Sequence, residues 1–316
     1  MGGEEFNADA RTCGEQRQSR CSGLVVSLIS WMIFLLVGCQ VPAFDQVPTP
    51  IMPVGIETTP TKTAVPTSSG QIISTPTLPQ PTATINPDTG WQAVQPGLER
   101  RHIFVLDKEN QPRDRLAILR LDPTLFDVRV VYRPGEAQSL ETWQAETNAL
   151  ITINGGFFTE DHYATGLTVV DGEAFGVSYG DFAGMLAVTD AGTDVRWLRE
   201  RPFNANEALQ YAVQSFPVLV KPGGILGFPE EDGNLARRTV IGQDENGNLL
   251  FIIAPSGLMT LHQMSQWLTE SDLNLHIALN LDGGPSTGLL LANSDLIISA
   301  YSPLPAIITV HQKINN

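Results

Sequence analysis

Between Val41 and Gly90 the chain is dominated by proline and threonine, as in TPTLPQPTATINPDTG from Thr75 to Gly90, with almost no aromatic residue. A segment of that composition cannot bury enough apolar surface to offset the entropy of ordering its backbone. Its prolines favour an extended, semi-rigid chain. Everything able to build a core therefore lies after it, from Trp91 onward, and the remaining stretch of about 225 residues is the size of one domain. The sequence divides into 1–39, a leader; 40–90, a linker; and 91–316, the folded part.

The leader carries an uncharged apolar run, GLVVSLISWMIFLLV at residues 23–37, preceded by Arg17 and Arg20. The run is shorter than the roughly 20 residues of a membrane-spanning helix. A basic flank and a short apolar core are the pattern of a secretory signal. It ends in Leu36-Val37-Gly38-Cys39, which resembles the bacterial lipobox, whose cysteine is acylated and becomes the first residue of the mature chain. The expectation is a lipoprotein anchored at the outer face of a membrane through Cys39 and held away from it by the Pro/Thr-rich tether.

Cys13, Cys21 and Cys39 are the only cysteines, so residues 91–316 can form neither an internal disulfide nor a thiolate metal site, and have no cysteine nucleophile. The formal net charge of -15 argues against a nucleic-acid partner, because a phosphate backbone calls for Lys and Arg to displace its counterions.

Within the folded part, short alternating runs are punctuated by turn residues. RHIFVLD (101–107), RLAILRLD (115–122) and FDVRVVYR (126–133) read as a strand meander. ALITIN (149–154) is continuously apolar, as in a central strand. Asp171-Gly172, Asp190-Ala191-Gly192 and Asn246-Gly247 mark three hairpins. Helices are fewer. Thr260 with Gln263 fits a capping box that opens a helix over 260–273. Ser139 can cap a second over 139–149, and NANEALQYAV (204–213) reads as a third. No helix follows every strand, so the class is α+β: a large mixed sheet with a few packed helices in a single domain.

Two strand ends look alike. ALITINGG (149–156) and HIALNLDGG (276–284) are each an apolar strand, preceded by a helix, that ends in Asn or Asp and then Gly-Gly. Both are compatible with plain hairpin turns. Both are also compatible with a shared site, because glycine accepts positive φ and lets a ligand approach the backbone, and successive amides can form an anion-binding nest. A helix before each strand suggests crossovers that lay the two strands side by side and parallel, bringing Asn154 and Asp282 together. Arg237-Arg238 opens another strand, and one guanidinium could face that site, where its fork suits phosphate or carboxylate.

With these residues the chain resembles the phosphodiester glycosidase domain family, which includes uncovering-enzyme-like glycosidases and exopolysaccharide-biosynthesis-like bacterial proteins. INGGFF (153–158), TGLTVVDG (165–172), QSFPVLV (214–220), RRTVIGQDENGNLLFIIA (237–254) and ALNLDGGPSTGLLL (278–291) occur in the family's order. The resemblance spans Trp143 to Gln312. It implies hydrolysis of a sugar-1-phosphodiester, of the N-acetylglucosamine-1-phosphodiester kind, at the glycosidic bond. By motif it implies Asp282, Asn154 and Arg238 as catalytic residues and Gly155, Gly156, Gly283, Gly284 and Ser286 as substrate-binding ones. Pro285 stands where the family usually has glycine, and it removes one amide from the turn.

A phosphate leaving group is already acidic, so charge neutralisation should matter more than protonation. The expected roles are a phosphate held by Arg238, Ser286 and glycine amides, an anomeric carbon served by Asp282, and Asn154 positioning Asp282 or a sugar hydroxyl. Glu160, Asp161 and His162 are candidates for a second acid. No cofactor is expected; Ca²⁺ or Mg²⁺ on Asp282, Asp161 and Asn154 is a candidate addition. The competing expectations are a glycan-binding module without turnover and a phosphodiesterase that cuts the P–O bond.

Overall fold

The structure, a computed structural model, describes residues 87–313. Cys39, the leader and nearly all of the linker lie outside the described residues. The described chain is α+β: strands in three sheets, the helices Leu140–Thr147 and Leu261–Glu270, and one short 3-10 turn at Gly284–Ser286.

The largest sheet has eight strands. In spatial order they are Gln92–Gln95, Leu98–Leu106, Pro112–Leu121, Leu249–Met259, Ala236–Asp244, Leu275–Asn280, Val218–Lys221 and Ile225–Leu226. A second sheet runs Glu173–Phe175, Thr168–Val170, Tyr211–Ser215, Gly184–Thr189, Gly192–Trp197. A third runs Ile297–Ile298, Leu289–Leu291, Ile151–Asn154, Ala306–Gln312, Phe126–Tyr132. Residues 91–142 thus add strands to two of these sheets rather than forming a separate body.

The hairpins fall where the turn residues put them. Asp171 (φ 49°) and Gly172 (φ 82°) turn one hairpin, Gly192 (φ 136°) and Gly247 (φ 84°) two others. Both capped helices form. Ser139 accepts the Thr142 amide, and Thr260 and Gln263 make a reciprocal capping box. A cap of this kind stabilises its helix by about 1 kcal/mol.

One core joins the inner faces of all three sheets, through Ile151, Ile153, Leu186, Val213, Ile241, Leu279 and Ile308 among others. A second lies between the large sheet and the helix Leu261–Glu270, with Val240, Ile252, Met264, Leu268 and Ala278. Under the helix Leu140–Thr147, Trp143 is fully buried and its indole N–H donates to the Leu304 carbonyl at 2.8 Å.

Two expectations need correction. NANEALQYAV is not a helix: Asn204–Glu207 is a turn, and from Tyr211 the segment enters a strand buried along almost its whole length. Leu209, Ala212 and Val213 are spaced as well for that strand as for a helical face. Nor are the two apolar strands parallel neighbours. Ile151–Asn154 belongs to the third sheet and Leu275–Asn280 to the first, and every pairing among the described strands is antiparallel.

Candidate active site

The strands 236–244 and 218–221 both run antiparallel to 275–280, so the starts of the first two and the end of the third share one edge of the large sheet. The end of Ile151–Asn154 meets that edge from the third sheet. Asn154 and Asp282 therefore come together although their strands lie in different sheets: the Asn154 Nδ2 donates to the Asp282 carbonyl at 2.8 Å, and the Asp282 amide donates to the Gly155 carbonyl at 3.2 Å.

Asn154 is buried and its amide is fully occupied. Its Nδ2 also donates to the Gly155 carbonyl at 3.3 Å, while its Oδ1 accepts the Thr239 hydroxyl at 2.8 Å and the Gly288 amide at 3.1 Å. Two donors and two acceptor positions are all that a primary amide has. Asn154 thus holds the Asp282 segment against the strand carrying Thr239, and has nothing left for a sugar hydroxyl. Gly155 and Gly156 are buried packing positions: a Cβ would come to 3.0 Å from the Ala306 carbonyl oxygen at one, and from the Gln214 carbonyl oxygen at the other.

Asp282 is different. Its side chain is only partly buried, and among the described residues no cation lies within ion-pair distance. Burial pushes its pKa up, and the Ser286 hydroxyl and the Gly283 amide (2.9 Å) pull part of that back. Gly283 has no room for a side chain, since a Cβ there would lie 2.8 Å from the Arg237 carbonyl oxygen. Gly284 has φ of 57° and open space around it.

The expected nest of amides does not form. The Asp282, Gly283, Ser286 and Thr287 amides already donate to Gly155, to Asp282 Oδ1, to Gly283 and to Gly284 respectively, and Pro285 has none. Only the Gly284 amide of this turn is without a protein acceptor among the described residues. The turn is braced by the loop after it: the Tyr301 and Ser302 amides both donate to the Pro285 carbonyl, and the Ser302 hydroxyl lies 3.4 Å from that of Ser286.

The two arginines separate. Val240 pairs with Asn280, and the Leu281 amide donates to the Thr239 carbonyl, so the register continued brings the Arg238 backbone opposite that of Asp282, while the acid that acts on the Arg238 guanidinium is Asp232. Arg238 donates from Nε to Met259 and from Nη2 to Asn234, both backbone carbonyls, which engages two of its five N–H groups. Arg237 faces the other way. It donates to the Pro255 and Ser299 carbonyls at 3.1 Å each and stacks at 4.1 Å on Tyr301, so it anchors the bracing loop.

Glu160 and Asp161 sit exposed in a turn after Phe158, and His162 in that turn is half-buried with its ring 6.0 Å from Phe158. None of them is among the groups that set the protonation of Asp282. The oxygen set considered for a divalent ion does not fit one, because the Asn154 amide is fully engaged, and among the described residues no group of three His, Cys, Asp or Glu is arranged around a metal position.

The sequence profile of the phosphodiester glycosidase family matches residues 147–310, more than half of the chain, and takes in Asn154, Arg238 and Asp282. The chain belongs to that family. Among solved structures, the catalytic domain of zebrafish N-acetylglucosamine-1-phosphodiester alpha-N-acetylglucosaminidase, auto-inhibited by its pro-peptide, is 20% identical, with a TM-score of 0.56 over 70% of this chain and 86% of that one. A hypothetical protein from Synechocystis is 16% identical, with a TM-score of 0.49 over 69% of this chain and 62% of that one. At 20% identity the first likeness shows that the phosphodiester glycosidase fold is shared. No curated protein matches the sequence.

Two residues of this phosphodiester glycosidase site escape a sequence reading based on motifs. Thr239 is a lone hydroxyl in an apolar strand, which is itself a sign of a buried partner. Tyr179, whose hydroxyl feels the Asp282 charge, has no motif around it.

Proposed function

We propose that the protein hydrolyses a sugar-1-phosphodiester at the glycosidic bond, on a substrate of the N-acetylglucosamine-1-phosphodiester kind, and that it does so at the cell envelope. The observation that carries this reading is one partly buried carboxylate, Asp282, at a strand end in register with Arg238, whose guanidinium keeps donors without an acceptor among the described residues. Glycosidases with alkoxide leaving groups generally use two carboxyl groups, one of them as acid. A phosphate monoester leaves without that acid, and what it needs is a cation.

The Asp282 carboxylate then stabilises the positive charge that develops at the anomeric carbon. The carbon–oxygen bond breaks, the phosphate leaves with the electron pair, and water adds to the carbon and gives up a proton to the Asp282 carboxylate, which passes it to solvent. The three unengaged N–H groups of Arg238, the Ser286 hydroxyl and the Gly284 amide face the phosphate oxygens. Such preorganised donors act where charge develops. Asn154 keeps Asp282 in place and does not touch the substrate.

At the envelope, Cys39 is the acylated residue and 40–90 the tether. Fatty-acid labelling that follows the wild-type chain but not Cys39→Ala tests the anchor; equal labelling of both removes it. Incubation with a panel of sugar-1-phosphodiesters tests the activity. Free sugar plus a phosphomonoester on the other partner is expected. Sugar 1-phosphate as product would instead make the protein a phosphodiesterase, and saturable glycan binding without turnover would make it a binding module.

A further inference from the structure

Beside Asp282 stands a group of aromatic side chains drawn from three separate segments. Phe157 lies 4.8 Å from Phe216, and Tyr179 meets Phe216 edge-on at 5.0 Å. Phe182 completes the group at 5.5 Å from Phe216 and 6.0 Å from Tyr179. The group is fixed to both Gly-Gly turns. Phe157 directly follows Gly156, and the Phe216 carbonyl accepts from Asn280 Nδ2 at 3.0 Å, two residues before Asp282. Yet it is not core: Phe182 is 50% exposed, and Phe157 and Phe216 are only partly buried.

Tyr179 is held with unusual care for a residue in a loop. A Cβ on Gly166 would lie 2.3 Å from its ring, so only glycine at 166 admits it. The Thr165 hydroxyl donates to the Phe157 carbonyl at 3.1 Å, and so accepts the proton of the Tyr179 hydroxyl. Its amide donates at 2.9 Å to Oε1 of Gln214, whose Nε2 donates at 3.1 Å to the Ser178 hydroxyl. Burial, and after it the Asp282 charge, raise the Tyr179 pKa against the lowering effect of the Thr165 hydroxyl, so the Tyr179 hydroxyl stays protonated and its oxygen can still accept.

We propose that Tyr179, Phe182 and Phe216 form the wall that receives the sugar ring of the substrate beside Asp282, with the Tyr179 hydroxyl oxygen accepting from a sugar hydroxyl. The proposal rests on the functional reading above and makes Tyr179 a specificity-determining residue within it. A pyranose presents apolar C–H faces and a polar rim of hydroxyls, which an aromatic surface with one fixed acceptor oxygen complements. A purely apolar ligand would have no use for a hydroxyl held this way.

The test is equilibrium binding of glucose 1-phosphate and of inorganic phosphate to the full chain carrying Asp282→Asn, which removes turnover, and to the same chain with Phe182→Ala or Tyr179→Phe added. Phe182 is half exposed and Tyr179→Phe keeps the ring, so both should melt at the parent temperature. Binding of glucose 1-phosphate should weaken about tenfold with Phe182→Ala and about threefold to tenfold with Tyr179→Phe. Binding of inorganic phosphate should not change. Equal losses for both ligands, no loss for either, or no binding of glucose 1-phosphate to the parent would overturn the proposal. Turnover by the unmodified chain is measured separately, so a binding wall without hydrolysis would sink the hydrolase reading alone.

Discussion

Asn154-Gly155-Gly156 and Asp282-Gly283-Gly284 are nearly the same in sequence, and they meet in space, but they do different jobs. In the first, the side-chain amide is completely engaged and both glycines are pressed against backbone. In the second, the acid is partly exposed, Gly284 has open space, and one amide has no acceptor among the described residues. The first turn is a clamp and the second is the chemical centre that it holds. An Asx-Gly-Gly ending on an apolar strand therefore says that a close approach occurs; whether another chain segment or a ligand makes that approach is decided by the neighbouring sheet.

Substitutions at matched positions should break the likeness. Asp282→Asn should lower kcat by about 1,000-fold or more, with the melting temperature unchanged or slightly higher because a desolvated charge is gone. Activity within a few fold of wild type would remove Asp282 from the chemistry. Asn154→Ala should do the reverse. It leaves the Thr239 hydroxyl, the Gly288 amide and the Asp282 carbonyl buried with a lost partner, a loss of about 3 kcal/mol in urea unfolding. A variant as stable as wild type would contradict the clamp.

The glycines sharpen the contrast on a smaller scale. Gly155→Ala pushes a methyl toward the Ala306 carbonyl and should cost about 2 kcal/mol. Gly284→Ala meets only the strain of its positive φ, about 1 kcal/mol. Smaller again, Arg238→Lys keeps the charge but loses the fork, and should raise KM about tenfold with little change in stability. The same change at Arg237, which stacks on Tyr301, should act through the bracing loop and lower stability instead.

The pH dependence separates the two turns most finely. Only Asp282 titrates, and burial raises its pKa. The folded state then holds the proton more tightly than the unfolded one, so its ionisation lowers stability as pH rises from the ordinary aspartate range through the folded value. The acid limb of kcat/KM should likewise sit above the ordinary aspartate range. Asn154 variants should keep that limb and Asp282→Asn should lose it.

Much of this was legible in the sequence because it is local. Turn glycines, caps and the Asx-Gly-Gly endings are set by residues within a few positions of one another. What was not legible is non-local. A helix before a strand does not say which sheet the strand joins, so Ile151–Asn154 and Leu275–Asn280 were expected in one sheet and lie in two. Nor does a glycine-rich turn show which of its amides are already engaged. Leu209, Ala212 and Val213 fit either a helix or a strand, and only pairing with Gly184–Thr189 decides it. The aromatic wall is assembled from residues 157, 179, 182 and 216, which no spacing rule connects.

The central claim is that Asp282 acts at the anomeric carbon and phosphate departs intact. Hydrolysis of a sugar-1-phosphodiester in ¹⁸O-labelled water tests it most directly. The account predicts the label in the anomeric hydroxyl of the released sugar and none in the phosphate; label in the phosphate would show that water attacks phosphorus, and would contradict it.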